Sequence, residues 1–238
     1  DVRNGAQGLK IFKNFGMDLK DGKGQRIHTD DPRFDLLFEA CARLGLPVMI
    51  HTAEPKGLFD PMDRFNERWL ELKLYPGRGR PPERYPPWED LIAEQHRLFA
   101  RHPKTTFILA HFAFLSRQLP VLADILERYP NVHVEMSVAL EDLARSPKES
   151  VAFMNYYSHR IMFGTDSGST PRGPEASWVK FLNKHFAVFE TDQDDLPPPR
   201  ARSWNVHGLN LPKDVLERIY YKNAEELLAR PVALPRMP

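Results

Sequence analysis

Polar side chains close several of the apolar runs in this 238-residue chain. His51 ends Pro47-Val48-Met49-Ile50-His51, His111 ends Thr106-Phe107-Ile108-Leu109-Ala110-His111, and Asp166 ends the run from Arg160. Glu135 stands one residue from the end of Val132-His133-Val134-Glu135-Met136. Two imidazoles and an aspartate can hold Zn²⁺ or a similar divalent ion, which makes a bound water acidic enough to act as a nucleophile near neutral pH. A single histidine at a strand end is more often structural, but three such endings in register point to a site. Side-chain alternation predicts that Phe107, Leu109 and His111 share one strand face, as do Met162, Gly164 and Asp166. Ser167 and Ser169 follow Asp166 but have no nearby His–Asp arrangement, so nothing supports a serine nucleophile.

Five such runs, the first being Gly8 to Lys13, alternate with segments of helical periodicity at roughly 32–44, 89–101, 118–129 and 148–157. That is the βαβα pattern of a parallel sheet whose C-terminal strand ends meet at one mouth, so that residues a hundred positions apart can share a site. Asp31 before Pro32 is an N-cap and N1 pair, and Gly45 stands where a helix C-terminal cap belongs. Residues 52–88 hold many prolines and aromatics and read as a long loop insertion with a short helix near 66–74. A second connection carries Leu196-Pro197-Pro198-Pro199 and leads to a C-terminal amphipathic helix at 213–229. The whole chain, 1–238, reads as one domain.

Lysine and arginine total 33 against 32 aspartates and glutamates, a net charge of +1, and 42% of residues are hydrophobic. Such a balance offers neither a basic stripe for nucleic acid nor a polybasic anchor for a membrane. No apolar run is long enough to span a bilayer, and residues 1–10 lack the apolar core of a signal peptide, which gives a cytoplasmic expectation. The single cysteine, Cys41, lies on the apolar side of a helix and reads as a buried thiol.

The order of Ile-His-Thr at 50–52, Leu-Ala-His at 109–111, Phe-Gly-Thr-Asp-Ser at 163–167 and Tyr-Lys-Asn-Ala at 221–224 resembles the amidohydrolase superfamily, in the amidohydrolase-related branch that also contains non-oxidative decarboxylases. The likeness runs from Gly5 to about Leu228. It implies an α/β fold of the (β/α)8 TIM-barrel type, with the chain covering strands four to eight as a partial barrel. It further implies a divalent metal, zinc first, held by His51 and Asp166, with Asp166 also shuttling a proton. His111 would be a second ligand in binuclear relatives and would orient or polarise the substrate in mononuclear ones. The family's first strand carries a His-x-His pair, and no two of the nine histidines here stand two apart. Half the expected ligand set is absent, so the chain is expected to be a fragment of a longer protein, an incomplete gene product or a degenerate relative, with two unpaired sheet edges and an exposed barrel interior.

The resemblance implies a metal-dependent hydrolase acting on an amide, ester or lactone carbon of a small molecule. The alternatives are a metal-dependent non-oxidative decarboxylase of an aromatic or enol carboxylate, and a non-catalytic partial barrel that binds or pairs. Dimers are common among the relatives, so a homodimer is expected. Lys10 and Lys13 are candidate substrate contacts, although strand alternation lets at most one face inward. Glu135 is a substrate contact or a support for a metal-bound histidine. Glu54 and Trp69, in the long loop, complete the substrate-binding candidates, and Phe65, Trp69 and Trp88 are candidates for a roof. His28, His96, His102, His159, His185 and His207 lie in polar or loop contexts and read as surface residues.

Overall fold

The computed structural model describes residues 2–167, 175–194, 196 and 204–229; the Pro197–Pro199 run and Ser169 lie outside them. Its centre is a five-stranded parallel sheet, β1 (Leu9–Ile11), β2 (Val48–Ile50), β3 (Phe107–Leu109), β4 (Val132–Glu135) and β5 (Ile161–Met162), in the order β1-β2-β3-β4-β5. Sequential parallel order with helical crossovers is the wall of a β/α barrel. Among the described residues, β1 and β5 each pair on one side only, as expected of a partial barrel.

The register assigns each residue to a face. Ile11, Ile50, Leu109, Val134 and Ile161 are aligned across the sheet and point to the helices, while Lys10, Met49, Ile108 and His133 are aligned on the opposite, barrel-inner face, where Glu135 pairs with Met162. The outer face carries the main core. Phe38 from helix Asp35–Leu44 and Phe99 from helix Trp88–Arg101 sit 5.9 and 5.0 Å from the Phe107 ring on β3, all three fully buried. Each such aromatic contributes roughly 1.5–3 kcal/mol through burial.

The expected helices at 32–44, 89–101, 118–129 and 148–157 form within one or two residues, apart from a 3₁₀ turn at Pro32–Phe34 that opens the first. Asp31 accepts a hydrogen bond from Arg33 N at that start, and Gly45 closes the helix at φ 69°, a left-handed conformation that favours glycine. Cys41 is buried, and burial pushes its thiol pKa up. In the long loop the helix covers only Trp69–Leu74.

Three features depart from the sequence reading. A helix over Glu175–Glu190 was not anticipated, because apolar residues ring it: Val188 and Phe189 are buried while Val179 is half exposed. The barrel interior is less open than expected. The C-terminal helix, Lys213–Glu217 continued by a π segment Arg218–Lys222 and by Asn223–Leu228, brings Leu227 and Ala224 against Met49, Ile108 and Met162 on the inner face. Asn223 Nδ2 fastens it by donating to Ser158 O at 2.6 Å and Ile161 O at 2.7 Å. Finally, His102 and His185 are buried rather than on the surface: His102 Nε2 meets Asp35 Oδ1 at 3.0 Å, and His185 Nδ1 donates to Phe181 O at 2.9 Å.

Candidate active site at the strand ends

The strands are shorter than the apolar runs, and the difference shapes the site. His51 follows β2 directly and its N–H donates to Ile11 O at 3.0 Å, extending the ladder by one bond. β3 stops at Leu109, and His111, Phe112, Ala113 and Phe114 then run at φ 54 to 58°. Four successive non-glycine residues in the left-handed region cost about 1–2 kcal/mol each, and strain of this kind clusters at functional sites. The alternation that put Phe107, Leu109 and His111 on one face therefore fails at this turn. Beyond Met162, where β5 ends, Gly164 faces Glu135 on the inner face and Asp166 adopts φ 55°.

The turn swings His111 against His51. The ring centroids are 4.5 Å apart, edge to face, with His111 Nε2 3.2 Å from His51 Nδ1; Phe114 lies 5.1 and 5.0 Å from the two rings and Phe12 is 5.6 Å from His51. Both imidazoles are about 95% buried. Burial, then the neighbouring His111, pull the His51 pKa down to about 3 against the opposing field of Glu54, so the ring is a neutral donor at physiological pH. Its Nε2 is buried and has no hydrogen-bond partner among the described residues.

Behind His111 lies a buried polar chain. His111 Nδ1 is 2.9 Å from Ser137 Oγ, which donates to Glu135 Oε2 at 2.8 Å. The same carboxylate accepts from Ser137 N at 2.6 Å and from His111 N at 3.3 Å. A Cβ at Gly164 would collide with Glu135 Oε1 and lie 2.6 Å from its Cδ, so the residue facing this carboxylate has to lack a side chain. Ser137 and Gly164 were not singled out by sequence. Spacing held one usable signal, since Ser137 stands two residues past Glu135 and can reach the same mouth.

The remaining candidates separate. Lys10 is exposed on the inner face of β1, its pKa lowered by burial against the opposing fields of Glu135 and Asp166, which places all three at one mouth. Lys13 instead donates to Glu54 Oε1 at 2.6 Å, where Arg80 also donates at 2.9 Å. Burial raises the Glu54 pKa, but these two cations outweigh it and hold the carboxyl below its ordinary value. Trp88 Nε1 donates to Glu54 O at 3.2 Å, so this tryptophan ties the loop to the domain. Trp69 lies under Lys73, whose Nζ is 4.6 Å from the ring, and Phe65 is 79% exposed. Asp166 is exposed.

For a metal, this set fits in donor type and in one free coordinating atom, His51 Nε2. It falls short of the four donors of a closed zinc site. Among the described residues, His51, His111 and Asp166 do not place three ligand atoms within 4.8 Å of one another, whereas His28, Asp30 and Glu94 do. That second group is already neutralised. Arg26 pairs with Glu94 at 2.5 Å and Arg97 with Asp30 at 2.5 Å.

Among solved structures, an uncharacterised TIM-barrel protein from Bordetella bronchiseptica is 18% identical and superposes with a TM-score of 0.53 over 96% of this chain and 59% of its own. The apo IDCase of Metarhizium anisopliae (17% identity, TM-score 0.48, 94% and 57% coverage) and the 5-carboxyvanillate decarboxylase of Sphingomonas paucimobilis (18%, 0.45, 95% and 59%) are also similar. The chain thus spans about three fifths of the length of the solved structures it matches. No curated protein matches it. The first superposition identifies the described sheet as part of a TIM barrel. The amidohydrolase model matches residues 3–230, nearly the full sequence, and the chain belongs to the amidohydrolase family.

Proposed function

We propose that this chain carries the strand-four-to-eight portion of a metal-dependent hydrolase site, acting on an amide, ester or lactone carbon of a small molecule. The observation that carries the reading is the Nε2 of His51, a neutral nitrogen that is buried at the strand ends and has no hydrogen-bond partner among the described residues. Leaving a buried polar atom unsatisfied costs about 1–3 kcal/mol, a cost that a ligand removes. His51 would hold a divalent ion, zinc first, with Asp166 as a second donor from the same mouth; when bound, such an ion supplies Lewis acidity and an acidified water. Asp166, exposed at the mouth, takes up and returns a proton. His111 lies beside His51, and the Phe12 and Phe114 rings pack against the imidazoles. The test is turnover in a protein containing the whole barrel: His51→Ala and Asp166→Ala should each abolish it, and activity within about tenfold of wild type in either would refute the assignment.

One observation favours a second reading, non-oxidative decarboxylation. Lys13 and Arg80 are committed to Glu54, but Lys10 makes no ion pair among the described residues and faces the barrel interior. A cation there suits a substrate carboxylate. Carbon dioxide release by the same protein, lost in Lys10→Met, would select this reading over hydrolysis.

A further inference from the structure

The polar chain behind His51 has a direction, and the direction is set at its far end. Glu135 accepts three hydrogen bonds, from Ser137 N, Ser137 Oγ and His111 N, as an ionised carboxylate does because it has acceptors only. The Ser137 hydroxyl proton is therefore spent on Glu135. Ser137 Oγ then faces His111 Nδ1 with lone pairs alone, and the 2.9 Å contact is a hydrogen bond only if His111 Nδ1 carries a proton. A neutral His111 with its proton on Nδ1 has a bare Nε2. That atom lies 3.2 Å from His51 Nδ1, so the proton of this second contact belongs to His51 Nδ1. The last atom in line, His51 Nε2, is left with a lone pair, and it is the atom of this polar chain with no hydrogen-bond partner among the described residues.

We propose that Glu135 and Ser137 are positioning residues that act through His111 to fix His51 in the tautomer with a bare Nε2. His111 in this arrangement orients His51 and does not offer Nε2 to an ion. An imidazole that donates its second N–H to a fixed acceptor is a common support for a metal-binding histidine. Gly164 belongs to the same device, since any side chain there would evict the Glu135 carboxylate. The consequence for metal binding rests on the proposed function above; the tautomers do not.

The two can be tested apart on the metal-free 238-residue chain, by two-bond ¹H–¹⁵N correlation spectra of its ¹⁵N-labelled imidazoles. The expected result is a proton on Nδ1 and none on Nε2 for both His51 and His111, assigned with His51→Gln and His111→Gln. Ser137→Ala removes the acceptor for His111 and should move the proton to Nε2 in both rings, while Ser137→Thr keeps the wild-type pattern. A merely structural serine would change the melting temperature and leave the tautomers alone. A proton on His51 Nε2 in the wild-type chain overturns the proposal, as do unchanged tautomers in a folded Ser137→Ala. Should Ser137→Ala fail to fold, the wild-type and Ser137→Thr spectra decide. Zinc added to the folded variants gives the second readout, with affinity in Ser137→Ala roughly 10–100-fold weaker than in Ser137→Thr. The expected tautomers without any zinc binding in a protein containing the whole barrel would uphold this proposal and refute the metal-dependent reading.

Discussion

Gly164→Ala is the substitution for which the structure gives the most definite expectation. The added methyl would overlap Glu135 Oε1 and stand 2.6 Å from Cδ and 3.1 Å from Cγ, where ordinary contacts begin at 3.4 Å. The carboxylate oxygen has to retreat by more than about an ångström, and at that displacement its bonds to Ser137 N, Ser137 Oγ and His111 N, now 2.6, 2.8 and 3.3 Å, cannot all survive. A hydrogen bond to a charged group contributes about 1.5–3 kcal/mol, so losing two of the three costs about 3–6 kcal/mol. Urea unfolding at neutral pH measures the loss directly as a fall in the midpoint at unchanged slope. Gly22→Ala is the matched control: nothing lies within 4 Å of its added Cβ, and the change should be neutral or stabilising by up to about 1 kcal/mol. If Gly164→Ala stays within about 0.5 kcal/mol of wild type, as an ordinary surface substitution does, Glu135 is not confined as described.

Acid should destabilise the metal-free chain before its carboxylates titrate. Because His51 in the folded chain protonates only near pH 3, against an ordinary value of 6.5, the unfolded chain binds a proton that the folded chain refuses, and stability falls as pH falls from 6.5 toward 3. At pH 5 the loss is about 2 kcal/mol at 1.36 kcal/mol per pH unit. His51→Gln should flatten that part of the profile incompletely, since burial lowers His96, His159 and His185 as well; a profile identical to wild type would refute the assignment. Glu54→Gln leaves Lys13 and Arg80 without their shared carboxylate, a loss of about 3 kcal/mol for a buried pair, and should expose residues 56–87 to faster trypsin cleavage. Cleavage at the wild-type rate would show that the loop is held by other contacts.

Much of this was legible in the sequence because the outer sheet face is a nearly continuous apolar stripe. Val48, Ile50, Phe107, Leu109, Val132 and Val134 identify the strands, and the polar residue after each run marks the mouth. Helix ends were equally plain at Asp31 and Gly45, where backbone chemistry selects the residue. The approach of His111 to His51 had no such signal. It depends on a left-handed turn built from His111, Phe112, Ala113 and Phe114, a conformation that none of these residue types favours and that tertiary contacts impose. Glu54 reads as an ordinary loop carboxylate until Lys13 and Arg80, 41 and 26 residues away, arrive beside it. Ser137 is an ordinary serine in sequence, and only Glu135 and His111 on either side give it a role. The inner face was misjudged for a similar reason, since Leu227 reaches Ile108 and Met162 only once the C-terminal helix folds back.

The central claim is that His51 Nε2 is the metal-directed atom of this mouth. Metal content per chain in saturating zinc, measured by elemental mass spectrometry after free ion is removed, tests it most directly. The account predicts bound zinc that is lost in His51→Ala and kept in His28→Ala, which disrupts the His28–Asp30–Glu94 group. Zinc that survives His51→Ala, or that disappears with His28→Ala instead, would contradict it.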